Sequence, residues 1–229
     1  MNYNLAGIRH ISFDVWGTLI SANPEYAEMR NTYLAMVLGL TNKTVRQVYT
    51  QVKTEVDQEA ELEGTGPSTP QVLKRLYDQF GDYIGPNDRA SMFEVHAGIR
   101  ALFRRYPPIV LPEIKKMIGE LKRAGYNVSI ASNTNFISGA TMQDVLFDKW
   151  PTQFDFALYS DAFGHSKPSS AFFNAILVNA RSRAQANIAP ALVMHVGDNQ
   201  ICDVGGATKA SMRPMYVKDP ADTVKLLMP

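Results

Sequence analysis

The chain has 229 residues, 45% of them apolar, and sets 23 Lys plus Arg against 22 Asp plus Glu. That is enough apolar material for a sizeable core, while a net charge of +1 supplies no field to draw nucleic acid or an anionic membrane. A single cysteine excludes an internal disulfide framework, no apolar run nears the roughly 20 residues that span a bilayer, and the opening residues lack a signal-peptide pattern, so a soluble cytoplasmic protein is expected.

In chain order, the apolar run from Ile8 to Phe13, broken by Arg9 and His10, reads as a strand that delivers Asp14 to a turn at Gly17-Thr18. Residues from about 24 to 106 then read as helical almost throughout. Tyr26 to Leu38 and Val45 to Val56 make two helices, the second richly polar, and GTGPS (64–68) is a loop. In TPQVLKRLYDQFG, Thr69 is the expected N-cap, Pro70 the first helical residue and Gly81 the stop. Val72, Leu73, Leu76 and Phe80 form its apolar face. DRASMFEVHAGIRALFRRYPP reads as a last helix, stopped by Pro107 and Pro108.

After Pro108 helices and strands alternate. LPEIKKMIGELKRAG places Ile114, Met117, Ile118 and Leu121 on one face and stops at Gly125. YNVSIASN follows as a buried strand, with three more short apolar runs at 154–160, 191–198 and 213–218. Helical segments after Pro168 and around Asp203 to Ala210 separate these runs. This order argues a Rossmann-like, doubly wound parallel α/β sheet, whose ligands sit at the carboxyl ends of the strands.

Each expected strand ends in polar residues suited to phosphate chemistry: Asp14, then Ser132-Asn133-Thr134, then Ser160 followed by Lys167-Pro168, then Gly197-Asp198 with Asp203 five residues on. Taken singly, Asp198 reads as a helix N-cap, Asp203 as a first-turn acid, and Lys167 as a surface lysine. His165 and His195 read as structural or rim-lining, His10 and His96 show no partner in the sequence, and Cys202 reads as a small filler. Arg100, Arg104 and Arg105 read as a solvated helix face from which one arginine could reach substrate.

The ordered set resembles the four motifs of the haloacid dehalogenase-like (HAD) hydrolase superfamily, and the resemblance covers nearly the whole chain. DVWGTL is similar to its first motif, usually D-x-D-G-T-L. The resemblance implies a core of residues 1–20 and 108–229 and an inserted all-helical cap of residues 21–107, closing over the site. It implies an Asp14 nucleophile forming an aspartyl-phosphate, with Thr18, Ser132 and Asn133 binding phosphate. Lys167 would steady both the phosphate and Asp14. Asp14, Asp198 and the Trp16 backbone carbonyl would hold Mg²⁺, with Asp203 behind them, holding a metal-bound water or orienting Lys167. The implied substrate is a small phosphorylated metabolite.

Trp16 departs from the pattern, because phosphatases of the superfamily carry an acid–base aspartate there. Indole has no useful acid–base chemistry, and general acid–base catalysis is worth about 10²–10⁴-fold. Three outcomes follow: a phosphohydrolase selective for leaving groups that depart unprotonated, a 2-haloacid dehalogenase, or a non-catalytic member of the fold. Dehalogenases carry tyrosine at this position but do not normally keep Gly197-Asp198, which favours the metal-dependent reading. Neither the substrate nor the oligomeric state is legible in the sequence.

Overall fold

The computed structural model describes residues 5–84, 90–148, 150 and 152–228. Strand β1 (His10–Phe13) is followed by four long helices, α1 (Pro24–Leu38), α2 (Asn42–Glu63), α3 (Thr69–Phe80) and α4 (Met92–Arg105). Then come α5 (Pro112–Arg123), β2 (Asn127–Ser132), the short α6 (Gly139–Met142), β3 (Phe156–Tyr159), the short α7 (Ser160–Phe163) and α8 (Ser170–Ala184). The chain ends through β4 (Val193–Gly197), α9 (Gly206–Lys209), β5 (Arg213–Tyr216) and α10 (Pro220–Leu227).

The five strands form one parallel sheet in the order β3-β2-β1-β4-β5. The chain fills one side of β1 first and then returns to fill the other, so the sheet is doubly wound. The loops leaving β1 and β4 therefore diverge, which opens a crevice at their carboxyl ends. Register carries residues into it: Phe13 pairs with Ile130 on one side and with Val196 on the other, and the Asp14 N–H donates to the Val196 carbonyl at 2.8 Å.

Alternation along the strands gives the two faces different chemistry. Ile11, Phe13, Val128, Ile130, Met194 and Val196 join Ile114, Met117, Ile118 and Leu121 of α5 in one apolar cluster. The opposite face meets Phe172, Phe173 and Ile176 of α8, and there the strands carry His10, Ser12, Ser129 and His195, all buried. The polar residues pair across strands: His10 Nε2 with Ser129 Oγ at 2.7 Å, and His195 Nδ1 with Ser12 Oγ at 3.2 Å. His10 also stacks on Phe156.

Helices α1 to α4 close a separate core of Leu34, Val45, Val52, Val72, Leu76, Phe80 and Ile99, into which Phe136 reaches from the loop after β2. Two local expectations are corrected here. Helix α3 is capped by Ser68, not Thr69, because the Ser68 N–H and hydroxyl both donate to Gln71 Oε1, a capping box one residue earlier than expected. Gly81 ends it with right-handed backbone (φ −57°) and so makes no use of glycine's left-handed freedom. Helix α4 begins after Ser91, whose hydroxyl and N–H engage Glu94; the preceding Asp88 and Arg89 lie outside the described residues.

Candidate active site

Four strand ends converge on a cavity of about 450 Å³ whose wall includes Asp14, Trp16, Asn133, Lys167, Asp198 and Asp203. Asp14 follows the last residue of β1. The turn beyond it is tight: Gly17 has φ +70°, and a Cβ there would lie 2.1 Å from Asp198 Oδ2. Only glycine lets the turn and Asp198 approach each other so closely. Gly197 serves Asp203 in the same way, since a Cβ there would meet the Asp203 carboxyl carbon at 2.2 Å.

Lys167 is the hub. It is 1% exposed, and its ammonium donates to Asp14 Oδ1 at 2.6 Å and to Asp203 Oδ1 at 2.7 Å, although Asp14 lies 153 residues away. Asn133 pins the lysine backbone: its Oδ1 accepts from the Lys167 N–H and its Nδ2 donates to the Lys167 carbonyl. Both ends of that amide are therefore committed to the main chain.

The two carboxylates flanking Lys167 are not equivalent. Asp203 accepts from Lys167, from His195 Nε2 at 2.9 Å and from the Asn199 N–H at 3.0 Å. Burial alone would raise its pKa, but Lys167 and His195 hold it below the usual carboxylate range. Among the described residues Asp14 accepts from the shared ammonium alone, and burial pushes it up to about 7 against the pull of Lys167. Burial would lower the lysine, yet Asp14 and Asp203 hold it above its ordinary value. Burial pulls the His195 pKa down against the hydrogen bond to Asp203, and the ring bridges two partners, with Nε2 2.9 Å from Asp203 Oδ1 and Nδ1 3.2 Å from the Ser12 hydroxyl.

Asp14, Asp198 and Asp203 present oxygens within 4.8 Å of one another. Three carboxylates against one ammonium leave an excess of negative charge, and the Asp198 carboxyl is raised by burial and by Asp203. The acids short of positive partners are thus Asp14 and Asp198, a hard-oxygen pair of the kind that suits Mg²⁺. The Trp16 carbonyl is not consumed by the local bridge, which runs from the Gly17 N–H to the Ile20 carbonyl and from the Ile20 N–H to the Val15 carbonyl. The donor set fits the ion.

The remaining expected residues are placed as follows. Trp16 lines the cavity, and its indole lies against Phe103 of α4, ring centroids 6.5 Å apart. Thr18 and Ser132 are fully buried and do not line the cavity; the Ser132 hydroxyl donates to the Asn133 carbonyl, and the Thr18 hydroxyl has no hydrogen-bond partner among the described residues. His195 is buried under Asp203, not on the rim, and His165 is exposed. Burial pushes the Cys202 thiol up to about 12, which suits a filler. Arg104 pairs with Asp144 on the surface, and neither it, Arg100 nor Arg105 lines the cavity.

The helical insertion instead brings Tyr26 and Arg30 from α1, and Tyr49, Lys53, Asp57 and Glu61 from α2. Asp57 accepts from Asn135 and Glu61 from Asn199, tying α2 to the loops after β2 and β4. Their signal in the sequence is helical spacing: Tyr49, Lys53, Val56, Ala60 and Glu61 recur along one face of α2, a pattern masked by the helix's many other polar residues.

A sequence profile described as haloacid dehalogenase-like hydrolase matches residues 8–211. No curated protein matches the chain in sequence. Among solved structures, the HAD-hydrolase YfnB from Bacillus subtilis, bound to magnesium, superposes with a TM-score of 0.68 at 16% identity, covering 95% of this chain and 89% of that one. The 2-haloacid dehalogenase from Pseudomonas syringae pv. Tomato DC3000 gives 0.62 at 17% identity, covering 91% and 86%. The HAD phosphatase from Thermococcus onnurineus gives 0.61 at 18% identity, covering 92% and 86%. At these identities the structural likeness speaks for the fold, while the profile speaks for the family. The chain belongs to the haloacid dehalogenase-like hydrolase family.

Proposed function

We propose that this hydrolase cleaves the phosphate ester of a small metabolite through a covalent intermediate on Asp14, with residues 21–107 acting as a cap over a core of residues 1–20 and 108–229. The observation that carries the reading is the buried Asp14–Lys167–Asp203 cluster beside a half-buried Asp198, at the crevice of a doubly wound sheet.

An Asp14 carboxylate oxygen attacks phosphorus, the ester P–O bond breaks, and the leaving oxygen departs with the bonding pair. Water then attacks the aspartyl-phosphate, releasing phosphate and restoring the carboxylate. Lys167 orients Asp14 and offsets charge on the phosphoryl oxygens. Asp203, fixed by His195 and the Asn199 N–H, holds Lys167 in place. Asp14, Asp198 and the Trp16 carbonyl would hold Mg²⁺, which when bound would neutralise the acids and the substrate's charge. Thr18 and Ser132, behind the cavity wall, support the turn and the strand end in this arrangement.

Trp16 gives the leaving group no proton. Turnover should therefore fall steeply as leaving-group pKa rises, with acyl and aryl phosphates hydrolysed best. A screen of phosphate esters, acyl phosphates and 2-haloacids, with and without Mg²⁺, tests this, and Asp14→Asn should be silent throughout. A flat dependence on the leaving group would discard the missing-acid argument. Chloride released from 2-chloropropionate without Mg²⁺ would replace the phosphatase reading with dehalogenation, a reaction whose leaving group also needs no proton.

A further inference from the structure

Two groups on α1 face the cavity without the partners their chemistry asks for. Arg30 is half-buried in the cavity wall, and no ion pair among the described residues includes it. Its Nε and Nη2 donate to Oδ1 of the neighbouring Asn31 at 3.2 and 2.9 Å, an uncharged acceptor. Its guanidinium carbon lies 3.5 Å from the centre of the Tyr49 ring, and Tyr49 in turn stacks on Phe136 with centroids 4.0 Å apart. One helical turn before Arg30, the Tyr26 ring lies 5.5 Å from the same guanidinium, and its hydroxyl is buried with no hydrogen-bond partner among the described residues.

We propose that Tyr26, Arg30 and Tyr49 form a carboxylate-binding subsite, so that the preferred substrate is a phosphate ester whose leaving group carries a carboxylate on an apolar or aromatic body. The inference deepens the phosphohydrolase reading and rests on it. Guanidinium has five N–H donors in a planar fork, and stacking on Tyr49 fixes the plane of that fork while Asn31 holds its Nε and Nη2. Burial keeps the Tyr26 phenol protonated, well above its ordinary range, so it remains a donor for an anion beside Arg30. One unpaired guanidinium matches one negative charge. Lys53 is paired with Asp57, and Glu61, which accepts from Asn199, brings the four charges of this wall to zero, so Arg30 is, among the described residues there, the cation with no carboxylate beside it, and a monoanion is the most it balances. A second phosphate, with close to two charges, would exceed it. Trp16, Val56, Phe136 and Ile137 supply the apolar wall for the body of the leaving group.

The test compares kcat/KM for three matched aryl phosphates: 4-carboxyphenyl phosphate, its neutral 4-carbamoyl counterpart, and 1,4-phenylene bisphosphate. The wild type should prefer the carboxylate over the carboxamide by about tenfold or more, the factor equivalent to one good charge-assisted contact. Arg30→Gln should bring that ratio close to one, and Arg30→Lys, which keeps the charge but loses the fork, should retain part of it. Should Arg30→Gln fail to fold, Tyr26→Phe removes one donor and should lower the ratio by itself. Calorimetric binding of 4-hydroxybenzoate to wild type and Arg30→Gln needs no turnover. Binding that depends on Arg30 in a protein that hydrolyses no ester would keep the subsite and discard the phosphohydrolase reading. Equal rates for carboxylate and carboxamide esters, a preference for the bisphosphate, or 4-hydroxybenzoate binding unchanged in Arg30→Gln would each overturn the proposal.

Discussion

Strands β1, β2 and β4, with the residues just beyond them, bury His10, Ser12, Asp14, Ser129, Ser132, His195 and Asp203, whereas among the described residues helices α1 to α4 bury only Asn31 and Thr69 as polar side chains. Both regions are closely packed, but the sheet spends its interior on matched polar pairs and the insertion on Leu, Val, Ile and Phe. A buried polar group is tolerated when its partner is fixed, and parallel strands fix partners through register: His10 lies beside Ser129, and Ser12 beside His195. Packed helices supply apolar volume but no such register, so the insertion's charged pairs stay at its rim, as with Lys74–Asp78 and Lys53–Asp57. The contrast suits the proposed roles, with a charged floor that performs chemistry and an insertion of apolar core whose polar edge at the cavity selects what enters.

The comparison can be broken in three places. The largest effect is expected at Lys167→Met, which leaves Asp14 and Asp203 buried without their shared ammonium. It should cost about 3–5 kcal/mol in denaturant unfolding and abolish turnover. A loss below about 1 kcal/mol would mean that the cluster relaxes or takes up water on its own.

The next effect is a pH dependence of the sheet. Burial lowers His10 from 6.5 to about 4, so between those values the unfolded chain binds a proton that the folded chain refuses. Its contribution is therefore complete above pH 6.5 and is lost as pH falls towards 4, a difference of about 3 kcal/mol between pH 7 and pH 4. Unfolding free energies across that window should show the slope in the wild type and a shallower one in His10→Gln. Equal slopes would assign the acid sensitivity to other groups.

The smallest effect belongs to the insertion's rim. Lys74→Ala removes an exposed i, i+4 pair and should change stability by less than about 0.5 kcal/mol. A change several times larger would show that the rim charges carry structure after all, and the contrast between the regions would narrow.

The element order and most of the site's floor were legible in the sequence, because both are local signals. An apolar run followed by Asp14, a Lys167-Pro168 step and a Gly197-Asp198 turn each announce a strand end or loop within a few residues. Boundaries were less legible where two residue types compete for one role, as Ser68 and Thr69 do for the N-cap of α3. The resemblance assigns the hydroxyls of Thr18 and Ser132 to phosphate, yet neither residue lines the cavity. Their direction depends on turn geometry and on backbone acceptors such as the Asn133 carbonyl, neither of which spacing encodes.

By itself, then, the sequence determined the doubly wound α/β plan, the interruption after β1, and the set of charges that need one another. Tertiary structure alone decided how that set is shared: among the described residues Asp203 receives three donors and Asp14 one, through contacts that cross up to 153 residues. It also decided which face of the insertion meets the cavity, bringing Arg30, Tyr26 and Tyr49 to the wall and leaving Arg100, Arg104 and Arg105 away from it. The physical reason is the same in both cases. Periodicity specifies the apolar face of a helix, but which polar residues at its edge look inward is set by the rotation at which the helices pack, and that angle is a property of the assembled core.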